Sequence, residues 1–327
     1  MKYPKYLNNN SIIGITAPSS GVGGHIIDYE KSISNIKSNG FNIIETANVR
    51  VDNEVSSSAQ ERVVEFNSLI SDSKIEAIMC ATGGDFLTDM LPFVDYDLIR
   101  ANPKWILGAS DPTTLLYTIT TICDIATIYG HNASSFDSSA LHESQKYPLN
   151  LLKGEVRIQN SYSKYELDRD KRINGNYSLT EDVCWESYSD IDIKGRIIGG
   201  CIDCLKYLLG TKYDKTCEFV EKYKDDGIIW YFDIFSMTSE DFYLTLWQMK
   251  EAGWFKYTKL IIVGRVKYPT TYTSMTYKKA LIEIFKEIPT IINADIGHIP
   301  PKMTVVNGSL AHVKYTNKKG TIEQFML

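Results

Sequence analysis

The sequence predicts an α/β protein, and two observations carry that prediction. Short apolar runs alternate with amphipathic stretches from Ser11 to Gly130, and the same rhythm returns from Ile193 onward. Strands that alternate with helices imply a parallel sheet covered on both faces.

Ser11–Ala17 reads as the first strand, with Pro18-Ser-Ser-Gly21 as the turn that ends it. Ile26–Ser38 reads as a helix, and Gly40 suits the left-handed position after its end. Phe41–Glu45 is a second strand. Ser58-x-x-Glu61 fits a capping box that opens a helix through Val63, Val64 and Phe66. Ile75–Ala81, Lys104–Gly108 and Ala126–Gly130 follow as further strands. Between Ser134 and Ile191 the chain turns polar, rich in Ser, Asp, Lys and Tyr, and reads as a crossover with irregular surface strands. Beyond it, Ile193–Ile198, Ile228–Asp233, Leu260–Val266 and Thr290–Asp295 are strand-like, while Cys201–Leu209 and Glu240–Ala252 are helical. Ser239 is the expected cap of the latter helix, and Gly253 closes it. Met303–Val306 and Leu310–Tyr315 flank Asn307-Gly308, a hairpin signal.

The bulk composition narrows the function. The chain has 327 residues, 43% of them hydrophobic and 23% charged, enough for about two domains. A net charge of −5 comes from mixed signs without a basic run, which argues against nucleic acid as a partner. Met1–Asn10 is polar and lacks the apolar core of a secretory signal. No apolar run approaches the roughly 20 residues that span a bilayer. A cytoplasmic protein without a membrane partner is therefore expected. The six cysteines then read as reduced thiols. Cys201-x-x-Cys204 falls inside a helical pattern with no second such pair and no nearby His, so no metal is expected there.

The segment Trp105-Ile-Leu-Gly-Ala-Ser110-Asp-Pro-Thr-Thr is the most informative. A strand ends at Gly108, Ser110 occupies the turn, and Pro112 suits the first turn of the next helix. This is the layout of a nucleophile elbow, in which a sharp turn exposes the Ser hydroxyl to backbone amides. Pro112 stands where G-x-S-x-G carries its second Gly, and Ser110 alone also reads as a helix N-cap. Gly83-Gly84 after a strand permits close backbone approach to a ligand, or simply a tight turn. Among five histidines, His298 follows a C-terminal strand beside Gly297, a placement suited to a general base. His131 follows the fifth strand and could line a pocket. Asp233 ends another strand and either orients an imidazole or caps a loop.

These residues, taken in order, resemble the peptidase S66 family. The resemblance rests on Gly83-Gly84, Leu91-Pro-Phe-Val-Asp-Tyr-Asp-Leu-Ile, Gly108-x-Ser110-Asp111, Gly199-Gly200-x-x-x-x-Leu205 and Ala294-x-x-Gly297-His298, within a stretch from Ile12 to Tyr315. The family holds the bacterial LD-carboxypeptidases and the microcin C immunity proteins, and the Leu91 stretch is similar to the latter, MccF-like branch. It implies a serine carboxypeptidase or amidase with a Ser–Glu–His triad and no cofactor. On that pattern Ser110 matches the nucleophile and His298 the base, with oxyanion amides from Gly84 and Asp111. The acid position reads Asp233 instead of Glu, one methylene shorter, and Cys201 stands where the family carries Asn. The implied architecture is a flavodoxin-like N-terminal domain over residues 1–165 and a smaller α/β domain over 166–327, with the site between them. The implied substrate is a muropeptide or a peptidyl- or aminoacyl-nucleotide. Gly83, His131 and, stacking on a base, Trp185 are candidate contacts, although Trp185 also reads as a core residue. A homodimer is expected by the same resemblance, and a ligand-binding homologue with an impaired triad is the alternative.

Overall fold

The computed structural model describes residues 1–326. Its elements run β1 (Ile12–Thr16), α1 (Ile26–Ser38), β2 (Asn42–Glu45), α2 (Ala59–Ser71), β3 (Ile75–Cys80), α3 (Tyr96–Ala101), β4 (Trp105–Gly108), α4 (Thr113–Cys123) and β5 (Thr127–Tyr129). The crossover holds α5 (Glu143–Leu152), β6 (Gln159–Asn160), β7 (Lys164–Glu166) and β8 (Leu179–Asp182). There follow β9 (Ile191–Cys201), α6 (Ile202–Leu205), α7 (Thr216–Lys222), β10 (Ile228–Asp233), α8 (Ser239–Glu251), β11 (Thr258–Gly264), α9 (Tyr277–Phe285) and β12 (Thr290–Ala294). The chain ends with β13 (Val305–Asn307), β14 (Leu310–Thr316) and β15 (Lys319–Phe325).

Two sheets organise these elements. The first has the order β13-β5-β4-β3-β1-β2, and the second β12-β11-β10-β9-β14-β15-β6. Strands β1 to β5 are parallel, as are β9 to β12, while β13 and β14 join their sheets antiparallel. Parallel strands need helical crossovers, and these cover both faces of the first sheet, whereas in the second they cover one face and the other packs against α4 of the first layer. Hence β10 is buried along its whole length, Ile-Ile-Trp-Tyr-Phe-Asp, with no alternation. One apolar cluster continues from Ile78 and Ile106 of the first sheet to Ile229 and Ile262 of the second, so the two sheets share a core.

Four local readings differ from the sequence-based expectation. Asn307-Gly308 does not close a hairpin: Val305–Asn307 pairs with β5 in the first sheet, and Leu310–Thr316 with β9 in the second. The turn chemistry is right, but the flanking strands find stronger partners in different sheets. The hairpin lies at β14–β15, where Asn317 and Lys318 take positive φ. Cys201 ends strand β9 instead of opening a helix, because Asp233 of β10 still pairs with it. The cap of α8 is Thr238, whose hydroxyl accepts from the Asp241 amide, while Ser239 donates to the Met275 carbonyl. Helix α5 is an ordered element of the crossover that the polar composition conceals, capped by His142 and Gln145 and anchored by Leu149, Leu151 and Leu152.

Candidate active site

The carboxyl ends of β4, β5, β10 and β12 converge on a cavity of about 820 Å³. Open α/β sheets bind ligands at this edge because strand ends and helix beginnings leave backbone groups unpaired there. Gly83, Gly84, Ser110, His131, His298 and Lys302 all line it.

Ser110 has φ +68°, uncommon for a residue with a Cβ. The turn is locked by the Thr113 amide donating to the Ser110 carbonyl at 2.8 Å. Asn132 holds the preceding residue from the side, accepting from the Ala109 amide at 2.9 Å and donating to its carbonyl at 3.1 Å. The strained turn therefore persists because neighbours over-determine it. The backbone of Gly84 (φ +143°) packs so tightly that a Cβ there would lie 2.1 Å from the Ser20 hydroxyl oxygen. Among the described residues, the Gly84 and Asp111 amides have no protein acceptor. The Asp111 side chain turns inward, accepting from the Ser19 hydroxyl and the Leu87 amide. Burial pushes its carboxyl up to about 6.

Asp233 is fully buried at the end of β10. Its Oδ2 lies 2.7 Å from His298 Nδ1, a contact set off the ring N–H axis, so neither ring nitrogen of His298 makes a hydrogen bond. The shorter acid reaches the imidazole because the His298 loop comes close: a Cβ on Gly297 would lie 2.2 Å from Asp233 Oδ1. Burial alone would raise the Asp233 pKa, but His298, the Tyr129 hydroxyl and Lys302 outweigh it and hold the carboxyl below its usual range. Phe235 flanks the imidazole, with ring centroids 4.7 Å apart.

The sequence reading overlooked Tyr129. Its hydroxyl donates to Asp233 Oδ2 and accepts, at 3.5 Å, from the Ser110 amide, so one buried side chain connects the Ser turn to the acid. Only its position at a strand end signalled this. Asp295 was also overlooked; it accepts from Arg265 at 2.6 Å, the Trp185 indole at 2.9 Å and the Tyr162 amide at 3.0 Å. This network anchors the strand end that leads to His298. It also corrects the candidate contact at Trp185: the indole is fully buried, does not line the cavity, and has its polar edge committed to Asp295.

His131 lines the cavity but is almost wholly enclosed, and burial, then Lys302, His142 and Arg172, push its pKa well down. Lys302 is half-buried and forms no ion pair among the described residues. Burial and Arg172 lower its ammonium to about 8 against the pull of Asp233. The opposite wall is the β7–β8 hairpin of the crossover, which contributes Glu166, Arg169, Arg172 and Tyr177. Arg172 is clamped on Glu166 at 2.7 Å, with its guanidinium 4.7 Å from the Tyr177 ring centroid. The Glu166 amide donates to Pro300 at 2.8 Å, tying this hairpin to the His298 loop.

Comparison with known proteins agrees with this architecture. The LD-carboxypeptidase N-terminal domain matches residues 13–130, and the LD-carboxypeptidase C-terminal domain matches residues 194–313. The microcin C7 self-immunity protein MccF of Escherichia coli is 28% identical over 83% of this chain and 80% of its own. An MccF-like protein from Bacillus anthracis superposes with a TM-score of 0.84 at 25% identity, covering 99% of both chains. MccF in complex with aspartyl sulfamoyl adenosine superposes with a TM-score of 0.85 at 24% identity, again over 99% of both chains.

Proposed function

Because the chain belongs to the LD-carboxypeptidase family, peptidase S66, and is a hydrolase of that family, we propose that it is a serine amidase with a Ser110–His298–Asp233 triad. The observation that carries this reading is convergence: Ser110, His298 and Gly84 line one cavity, the Gly84 amide has no acceptor among the described residues, and neither has the Asp111 amide, which follows Ser110 directly in the chain. His298 Nε2 takes the Ser110 hydroxyl proton as Oγ attacks the amide carbonyl. The oxyanion is received by the Gly84 and Asp111 amides, and Asp233 stabilises the imidazolium. His298 returns the proton to the leaving amine as the C–N bond breaks. Water, deprotonated by His298, then attacks the Ser110 ester and releases the acid.

Two substrate classes suit the cavity, an L,D-amide near the end of a muropeptide and an aminoacyl- or peptidyl-nucleotide. The second is favoured by Phe235 and Tyr268, an edge-on pair that lines the cavity next to His298 and is 37% and 53% exposed. Such rings offer a base a stacking surface, which Trp185 does not. Among the described residues no helix is long and apolar enough to cross a membrane. We place the enzyme in the cytoplasm, where its six unpaired cysteines stay reduced, and expect a homodimer, which light scattering checks.

The deciding experiment is intact mass after incubation with a fluorophosphonate, on wild type and Ser110→Ala. One adduct that disappears in the variant supports the triad, and competition between the two substrate classes then ranks them. A well-folded protein without an adduct favours the binding homologue in which Asp233 fails to replace Glu.

A further inference from the structure

The cysteine that the sequence sets aside stands beside the triad. Cys201 pairs with Asp233 across β9 and β10. Its Sγ, a carboxylate oxygen of Asp233 and an imidazole nitrogen of His298 lie within 4.8 Å of one another. Cys201 is 1% exposed and Asp233 not at all, yet Asp233 Oδ1 and both ring nitrogens of His298 are buried without hydrogen-bond partners. Buried polar atoms are nearly always paired, so this concentration of unpaired ligating atoms itself points to a ligand.

We propose that Cys201, Asp233 and His298 bind a thiophilic divalent cation of the Zn²⁺ class, and that the bound ion switches hydrolysis off. Sulfur, nitrogen and oxygen together favour such an ion over Mg²⁺ or Ca²⁺, which prefer oxygen. Metal–ligand bonds of about 2.0 to 2.3 Å place tetrahedral ligands about 3.3 to 3.6 Å apart, so the widest separation in the trio, at most 4.8 Å, must close by roughly 1 Å while the 2.7 Å contact between Asp233 and His298 opens. His298 supplies that movement, because its ring opens on the cavity, which is also the entry path and leaves the fourth position to water. The supporting contacts exist already: the Tyr129 hydroxyl donates to Asp233, and the Cys201 amide donates to the Thr113 hydroxyl at 3.0 Å. Binding releases the Cys201 thiol proton. It also withdraws the imidazole from Ser110, so inhibition rests on the triad reading above, whereas binding does not.

Cobalt(II) separates the two. Titrated into metal-free protein under a non-thiol reductant, it gives a thiolate-to-cobalt charge-transfer band at one equivalent per chain. Cys201→Ser abolishes the band, His298→Ala weakens binding at least about tenfold, and Cys204→Ser changes neither. Folding of each variant is checked by its melting temperature. A folded wild type without the band overturns the site, as does a band that survives Cys201→Ser. A band that needs Cys204 but not His298 also overturns it, by placing the metal on the two thiols. Zn²⁺ then suppresses fluorophosphonate labelling of Ser110, and Cys201→Ser raises the half-suppressing concentration at least about tenfold. Labelling that ignores Zn²⁺ in protein that binds Co²⁺ overturns the inhibition alone.

Discussion

The two walls of the cavity are built on different principles. One is made of strand ends: Ser110, Tyr129, Asp233 and His298 project from two sheets with a continuous core, and their positions are set by buried backbone pairing. The other is the β7–β8 hairpin, whose Arg169 side chain is 62% exposed and whose strands pair only with each other. The backbone of the first wall cannot move without disturbing both sheets. The second can change its exposed residues, Arg169 among them, at little cost to the fold, and loops of that kind are where recognition varies. The contrast assigns chemistry to the first wall and substrate selection to the second, joined by the Glu166–Pro300 hydrogen bond.

The sharpest test of the first wall is Ser110→Ala, expected to lower kcat by about 10⁴-fold or more with little change in KM. Kinetics on the preferred amide measure it, and a loss confined to KM would break the division. Tyr129→Phe comes next. It removes a charge-assisted hydrogen bond to Asp233, so kcat should fall by about 10- to 100-fold. The acidic limb of the pH–rate profile should move to higher pH, since the variant loses one of the groups that hold the Asp233 carboxyl below its usual range. An unchanged profile would reduce Tyr129 to packing.

Trp185→Phe tests whether the network behind His298 is structural. It leaves Asp295 without one donor, so stability should drop by about 1 to 3 kcal/mol in denaturant titration while kcat holds. A drop in kcat without loss of stability would return Trp185 to the site. The smallest effects belong to the second wall. Arg169→Ala should raise KM about fivefold, the equivalent of about 1 kcal/mol, and leave kcat alone. Lys302 bridges the comparison. Its ammonium is lowered to about 8, so it is charged below that pH and neutral above it. KM for an anionic substrate should therefore rise as pH passes through 8, and Lys302→Met should flatten that rise. The same lowering means the charged form is disfavoured in the fold, so the variant should be at least as stable as wild type at pH 7.

The amino-acid sequence by itself determined the order of the parallel strands, the Ser58–Glu61 capping box and the strand-end placement of Ser110, Asp233 and His298. Those features are written locally, in apolar periodicity and turn chemistry, and need no knowledge of distant partners. Tertiary structure alone decided where Asn307 goes, because both strands around it exchange a near neighbour for one more than a hundred residues away. It likewise decided that Tyr129 meets Asp233, that Cys201 meets His298, and that Trp185 is turned inward onto Asp295. Each of these depends on how segments remote in sequence pack against one another, and that is settled only when the two sheets come together.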